Sequence, residues 1–245
     1  MNDNINEILI RYADKYENTE FLSADASWFM HQVSGDRNQE TLAFIASCPS
    51  YGSRKQFFPK IQYVLDCSRG DVYEWVKSGR FEHDIPADDE CYYRLYTNNM
   101  MRGFIAALRD LLSESGSIRD FIQRNSTDGY TAVAAFCAYF HGKGVEVIVP
   151  KNTSSACKRV CMFLRWMVRD GSPVDLGLWS DMIDKRTLIM PLDTHVLSEA
   201  CKLQLLNSKT SSMSVAIKLT EKMKEVFPED PLKGDFALFV YGANH

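Results

Sequence analysis

Two short stretches carry residue types from which chemistry can be built. Ser154-Ser155-Ala156-Cys157-Lys158-Arg159 opens an apolar helical run, and Pro191-Leu192-Asp193-Thr194-His195-Val196 opens the next. Folding can bring a lysine and an aspartate at the starts of two successive helices face to face. An amine with a carboxylate beside it is the minimum equipment for covalent catalysis on a sugar aldehyde. The nitrogen attacks carbon, and the carboxylate helps remove the proton. Only the neutral amine attacks, and burial, the positive end of its own helix and the neighbouring Arg159 would each favour that form of Lys158. Taken singly, the two residues have plainer readings. Asp193 suits a helix N-cap and Lys158 an exposed surface position. One carboxylate can fill both roles, because a helix start keeps it ionised and in place.

Positioning such a pair falls to helices, and the apolar spacing is helical nearly throughout. Glu40 to Cys48 has an apolar face at Leu42, Phe44 and Ile45. Arg54 to Asp66 carries Phe57, Phe58, Ile61, Val64 and Leu65. A short helix is predicted over 71–77. A long one is predicted from Pro86 through Leu112, with Asp88, Asp89 and Glu90 near its positive end. Ser117 to Gln123 reads as a short helix, and Thr131 to Phe140 follows. Val145 to Val149 is the one β-like run. A lone strand cannot make a sheet, so an extended connector is expected there. Ser154 or Ser155 is expected to cap the helix that runs to Val168 or Arg169, which Gly171-Ser172-Pro173 stops. Asp175 is expected to cap a short helix around Leu176 to Ser180. Asp193 opens a helix to about Leu205, and Ser211 or Ser212 one to about Val226. Asp230-Pro231 starts the last, ending near Tyr241-Gly242. The predicted fold class is all-α, a single helical unit over 1–245 with no linker long enough to separate independent domains.

Composition narrows the function classes. The chain has 245 residues, 45% of them hydrophobic and 12% aromatic, enough for a packed interior. No stretch approaches the ~20 continuous apolar residues of a membrane span, so no membrane partner is expected. The start, Met1 to Glu7, has neither the basic nor the apolar part of a signal peptide, which points to the cytoplasm. The seven cysteines, Cys48, Cys67, Cys91, Cys137, Cys157, Cys161 and Cys201, are scattered and form no Cys-x-x-Cys pair, as expected of reduced thiols in that compartment. His31, His83, His141, His195 and His245 lack metal-ligand spacing, and no metal site is expected. The net charge of −4 argues against broad adhesion to nucleic acid. The charge is uneven, however. Lys151, Lys158, Arg159, Arg165 and Arg169 fall in a stretch with no acidic residue, and Arg54, Lys55 and Lys60 make a second basic group. A local basic patch suffices to hold a short piece of DNA.

The segment from Pro150 to Val196 resembles the helix-hairpin-helix (HhH-GPD-like) DNA glycosylase superfamily, in which a hairpin leads into a lysine-bearing helix and an Asp-Thr-His-Val-like turn opens a later one. Cys157 to Arg169, Ser172 to Gly177 and Pro191 to Val196 are most similar to an uncharacterised bacterial family of conserved hypothetical proteins, DUF2400-like, related to archaeal 8-oxoguanine DNA glycosylases. Weaker echoes occur at Tyr51 to Lys55 and Asp235 to Phe239. Two features depart from the superfamily. Lys151 to Ser155 contains no glycine, and Lys158 and Asp193 stand 35 residues apart, farther than in its commonest members.

The resemblance implies a two-lobed helical fold, one lobe from about residues 40–190 and the other from 1–39 plus 194–245. Lys158 and Asp193 would line the cleft. It implies a base-excision enzyme of the bacterial cytosol and nucleoid, acting on damaged double-stranded DNA. Such an enzyme removes an oxidised base, 8-oxoguanine foremost, through a lysine Schiff base, and its AP lyase step cleaves the strand. Lys158 would attack C1′ of a nucleotide flipped from the stack, and Asp193 would stabilise the cationic sugar. Lys151, Ser154, Ser155, Arg159, Arg165 and His195 would contact DNA. Trp166, Trp179, Phe163 and Trp28 are candidates for the base pocket, each with a core position as its plainer reading. No organic cofactor is implied. Nothing after Cys201 contains cysteine, so the iron–sulfur loop of some relatives is not expected. Two rival readings remain from the residues: a catalytically silent nucleic-acid-binding helical protein, and a helical protein-interaction scaffold, which the acidic balance favours.

Overall fold

Helices account for most of the structure, a computed structural model that describes residues 3–208 and 210–244. Met1, Asn2, Lys209 and His245 lie outside the described residues. In chain order the helices are α1 (Asp3–Tyr16), α2 (Thr19–Ser23), α3 (Asp36–Ser47), α4 (Arg54–Ser68), α5 (Val72–Lys77), α6 (Phe81–Asp84), α7 (Asn98–Ser115), α8 (Ile118–Asn125), α9 (Gly129–Phe140), α10 (Lys158–Val168), α11 (Thr194–Lys202), α12 (Met213–Lys224) and α13 (Lys233–Asn244). Strands β1 (Cys91–Tyr93) and β2 (Tyr96–Thr97) precede α7 as an antiparallel hairpin. The fold is all-α. No described helix is long and apolar enough to cross a membrane.

The chain divides into two compact units. The first comprises residues 1–23, 127–134 and 153–245, and the second 24–126 and 135–152. This differs from the lobes expected from the sequence. Residues 153–190 join the N- and C-terminal helices rather than the central ones.

In the second unit the core is aromatic. Phe44 stacks on Phe136 at 4.9 Å between ring centroids, and Phe104 and Phe140 tilt against it. The buried Glu40 of α3 reaches the start of α8, where its two oxygens accept the N–H groups of Ile118 (2.8 Å) and Arg119 (3.2 Å). These are donors that a helix start leaves unpaired. Two sequence expectations fail here. The helix predicted from Pro86 begins only at Asn98. Thr97 caps it, and the buried Tyr92, Tyr93 and Tyr96 make the hairpin. Asp88 and Asp89 accept hydrogen bonds from the side chains of Asn98 and Asn99 instead of sitting inside the helix. Val145 to Val149 is not extended but coiled into a turn, with the N–H groups of Ile148 and Val149 both bonded to the Val145 carbonyl.

In the first unit α13 packs against α1 and α11. Phe21 lies edge-on to Phe236 and Phe239. Every residue of α10 from Val160 to Val168 is buried. Its final carbonyls would be orphaned, but the following segment folds back on them. Trp166 O accepts from the N–H groups of Leu176 and Gly177, and Met167 O accepts from that of Trp179. The short helix expected at 176–180 does not form, because its backbone donors are used in this way. Gly177 makes the fold-back possible. Its φ is +65°, and a Cβ there would stand 2.8 Å from Asp170 Cα. Gly177→Ala is therefore expected to cost about 1–3 kcal/mol, read as a lowered urea midpoint with an unchanged slope.

Candidate functional site

Lys158 is the first residue of α10. The N-cap is Cys157, in the left-handed region at φ +46°, with no side-chain cap bond. The sequence predicts Ser154 or Ser155 as the cap, but Cys157 holds that position, and Ser155 pairs through its backbone with Ser212. Asp193 does cap α11. Its Oδ1 accepts the N–H groups of His195 and Val196, both at 2.9 Å. That leaves Oδ2 free to face α10, where it stands 3.2 Å from Lys158 Nζ. The two side chains are 26% and 17% exposed, enclosed but reachable from solvent.

One dipeptide ties both helix starts together. Ser212 holds Ser155 through the backbone bridge, and Ser211 Oγ donates to the Leu192 carbonyl at 3.1 Å. The sequence had marked these serines only as the start of α12.

Behind the pair lies a buried ionic network. Arg165 binds Asp235 and stands 3.3 Å from Asp175. Arg169 binds Asp175, Asp230 (2.7 Å) and Glu17 (2.8 Å). Asp175 is thus no helix cap but a buried counter-ion between two arginines. Burial pushes its carboxyl up, and Arg165 and Arg169 oppose that. For Arg169, burial disfavours the charge, but Asp175, Asp230 and Glu17 outweigh it and the pKa is raised. Asp235 is pushed up to about 6. Burial is the main cause and Asp193 adds to it, against Arg165 and Lys158. Burial also pushes the Cys161 thiol up, so it is no thiolate nucleophile at neutral pH.

A family model described as "Protein of unknown function (DUF2400)" matches residues 25–244. The chain belongs to this family. No curated protein and no solved structure matches it.

The other sequence candidates of this DUF2400 protein separate by burial. Ser154, Ser155 and His195 are exposed, and Arg159 is half-buried next to Lys158. Lys151 is exposed but belongs to the second unit. Arg165 is not available to a ligand such as DNA, since it is 4% exposed and its charge is held by Asp235 and Asp175. Phe163, Trp166 and Trp179 are completely buried, and Phe163 meets Trp179 edge-on at 5.3 Å, so these are core residues rather than a stacking surface. Trp28 is half-buried in the second unit, edge-on to Phe29. Among the described residues, no group of three or more His, Cys, Asp or Glu side chains is placed to hold a metal ion.

Proposed function

We propose that this protein is a DNA glycosylase with AP lyase activity, of the helix-hairpin-helix kind, which removes an oxidised base through a Schiff base on Lys158. The observation that carries this reading is the 3.2 Å contact between Lys158 Nζ and Asp193 Oδ2. The amine and the carboxylate are the two groups the chemistry needs, and each sits at a helix start accessible to solvent. Asp193 accepts a proton from the Lys158 ammonium, and the neutral nitrogen attacks C1′. The glycosidic bond breaks, and the departing base carries the bonding electrons and takes up a proton. Ring opening gives the imine. Loss of the C2′ proton then expels the 3′ phosphate, and water releases the sugar fragment. On this reading Ser154, Ser155 and His195, which are exposed, together with Arg159 receive phosphate oxygens of the DNA.

The test is to incubate the protein with a duplex carrying one 8-oxoguanine and to add borohydride, which reduces an imine to a stable crosslink. The expected result is a protein–DNA adduct that peptide mass spectrometry maps to Lys158. A crosslink with an abasic duplex alone would keep the chemistry and reject 8-oxoguanine as the substrate. No adduct with either duplex, or an adduct on another lysine, would overturn the reading.

A further inference from the structure

Regular structure does not set the distance between Lys158 and Asp193. α10 ends at Val168 and α11 begins at Thr194, and residues 169–193 between them are irregular apart from one short 3₁₀ turn, Lys185–Thr187. The last part of this stretch is buried, with Met190 0% and Leu192 1% exposed. Buried backbone groups need hydrogen-bond partners, which an irregular segment must find elsewhere. Pro191, between these two residues, has no N–H to pair. Hydroxyls at and before α12 meet the need on either side of it. Thr220 Oγ1 accepts the Met190 N–H at 3.0 Å and donates to the Ala216 carbonyl at 2.9 Å. Ser211 Oγ donates to the Leu192 carbonyl at 3.1 Å.

The same end of α12 reaches the lysine side of the site. Ser212, the N-cap of α12, makes the backbone bridge to Ser155, three residues before Lys158. Its neighbour Ser211 bonds the residue before Asp193. The Leu192 carbonyl lies in one rigid peptide plane with the Asp193 nitrogen and Cα, so fixing that oxygen fixes where Asp193 leaves the chain. Ser211 is itself exposed, and shortening its side chain empties no core.

We propose that Ser211 is a positioning residue of the Lys158–Asp193 site: by holding the Leu192 carbonyl, its hydroxyl keeps Asp193 where Oδ2 meets the Lys158 amine, while the adjoining Ser212 holds the chain that leads to Lys158. The inference rests on the reading of Lys158 and Asp193 as the reactive pair. Without the hydroxyl the Leu192 peptide is free to turn toward water, and Asp193 moves with it. Reaction rates are sensitive to such shifts, since a misplacement of about 1 Å caused away from the chemistry can cost about 10²-fold.

The experiment compares Ser211→Ala, which removes the hydroxyl, with Ser211→Thr, which keeps it. At saturating abasic duplex, Ser211→Ala is expected to form the borohydride-trapped imine about 10–100-fold more slowly than the unsubstituted protein. Its affinity for a duplex with tetrahydrofuran in place of the abasic sugar should not change, and Ser211→Thr should restore the rate. Gly177→Ala, destabilised beside the far end of α10, should keep the rate. A matching loss in Gly177→Ala would mean that the rate merely follows stability, and would overturn the proposal. So would an unchanged rate in Ser211→Ala, a loss that Ser211→Thr does not restore, or weaker affinity with the saturated rate intact, which would make Ser211 a DNA contact. A second readout needs no DNA. Asp193 Oδ1 accepts the N–H groups of His195 and Val196. Hydrogen exchange at these two amides is expected to quicken about 3–10-fold in Ser211→Ala, the weight of one hydrogen bond, while Phe163 and Leu164 in α10 stay the same. Faster exchange, with no adduct from the unsubstituted protein, would reject the DNA chemistry and keep Ser211 as the residue that places Asp193. Unchanged exchange at His195 and Val196 overturns the proposal whether or not an adduct forms.

Discussion

Arg169→Leu is expected to lower the stability of the folded protein by about 3–5 kcal/mol at pH 7. Arg169 is 1% exposed and is the shared cation of Asp175, Asp230 and Glu17. Leucine fills much of the space but leaves three carboxylates facing one another, and the Asp175 side chain has no exposure at all. Removing one partner of a buried ion pair costs far more than the pair itself contributes, since the remaining charge stays without solvent. The loss should appear as a thermal midpoint lower by roughly 6–20 °C for a chain of this length.

The sign of its pH dependence can be worked out. Asp175 already has a raised pKa because of burial, and Arg169 is one of the groups that oppose the rise. Without Arg169 the folded-state value moves further above the unfolded one. The folded variant then binds more protons than its unfolded chain, so its stability increases as pH falls. The destabilisation by Arg169→Leu should therefore shrink between pH 7 and pH 5. Arg169→Leu combined with Asp175→Leu should cost less than the two single changes added, because the second removes a charge that the first left stranded. Additive losses would show that Arg169 and Asp175 do not act as a unit.

The sequence pattern revealed the helices and the two helix starts that bear Lys158 and Asp193, because both signals are local. Apolar spacing reports a helix wherever one face is buried, and Asp followed by Thr-His-Val is an N-cap signal in its own right. What stayed hidden depends on partners far along the chain. Asp175 reads as a cap until Arg165 and Arg169 are seen to enclose it. Arg165 reads as a surface cation for DNA until Asp235, 70 residues on, is seen to hold it. Phe163, Trp166 and Trp179 could be either stacking surface or core, and only burial separates the two. The hairpin at 91–97 was masked by three acidic residues that mimic a helix start. Asn98 and Asn99 give two of them other work. The bond from Ser211 to Leu192 and the pairing of Ser212 with Ser155 have no local signature at all.

The two oxygens of Asp193 allow structure and chemistry to be separated in one residue. Oδ1 caps α11 and Oδ2 faces Lys158. Asparagine is about as good a cap as aspartate, so Asp193→Asn keeps the helix start and removes the charge beside the amine. Its stability is expected to stay within about 1 kcal/mol of the parent, the scale of a whole cap. On the proposed reading, its rate of imine formation with an abasic duplex falls by about 10²–10⁴, the usual contribution of a positioned proton acceptor. Asp193→Ala should lose the same rate and, in addition, about 1 kcal/mol of stability. Lys158→Gln should leave no trapped adduct at any protein concentration. The informative comparison is between the two Asp193 variants. If the rate tracks stability, so that asparagine restores both, Asp193 acts only as a helix cap. If asparagine restores the helix and not the rate, the oxygen facing Lys158 has a chemical role of its own.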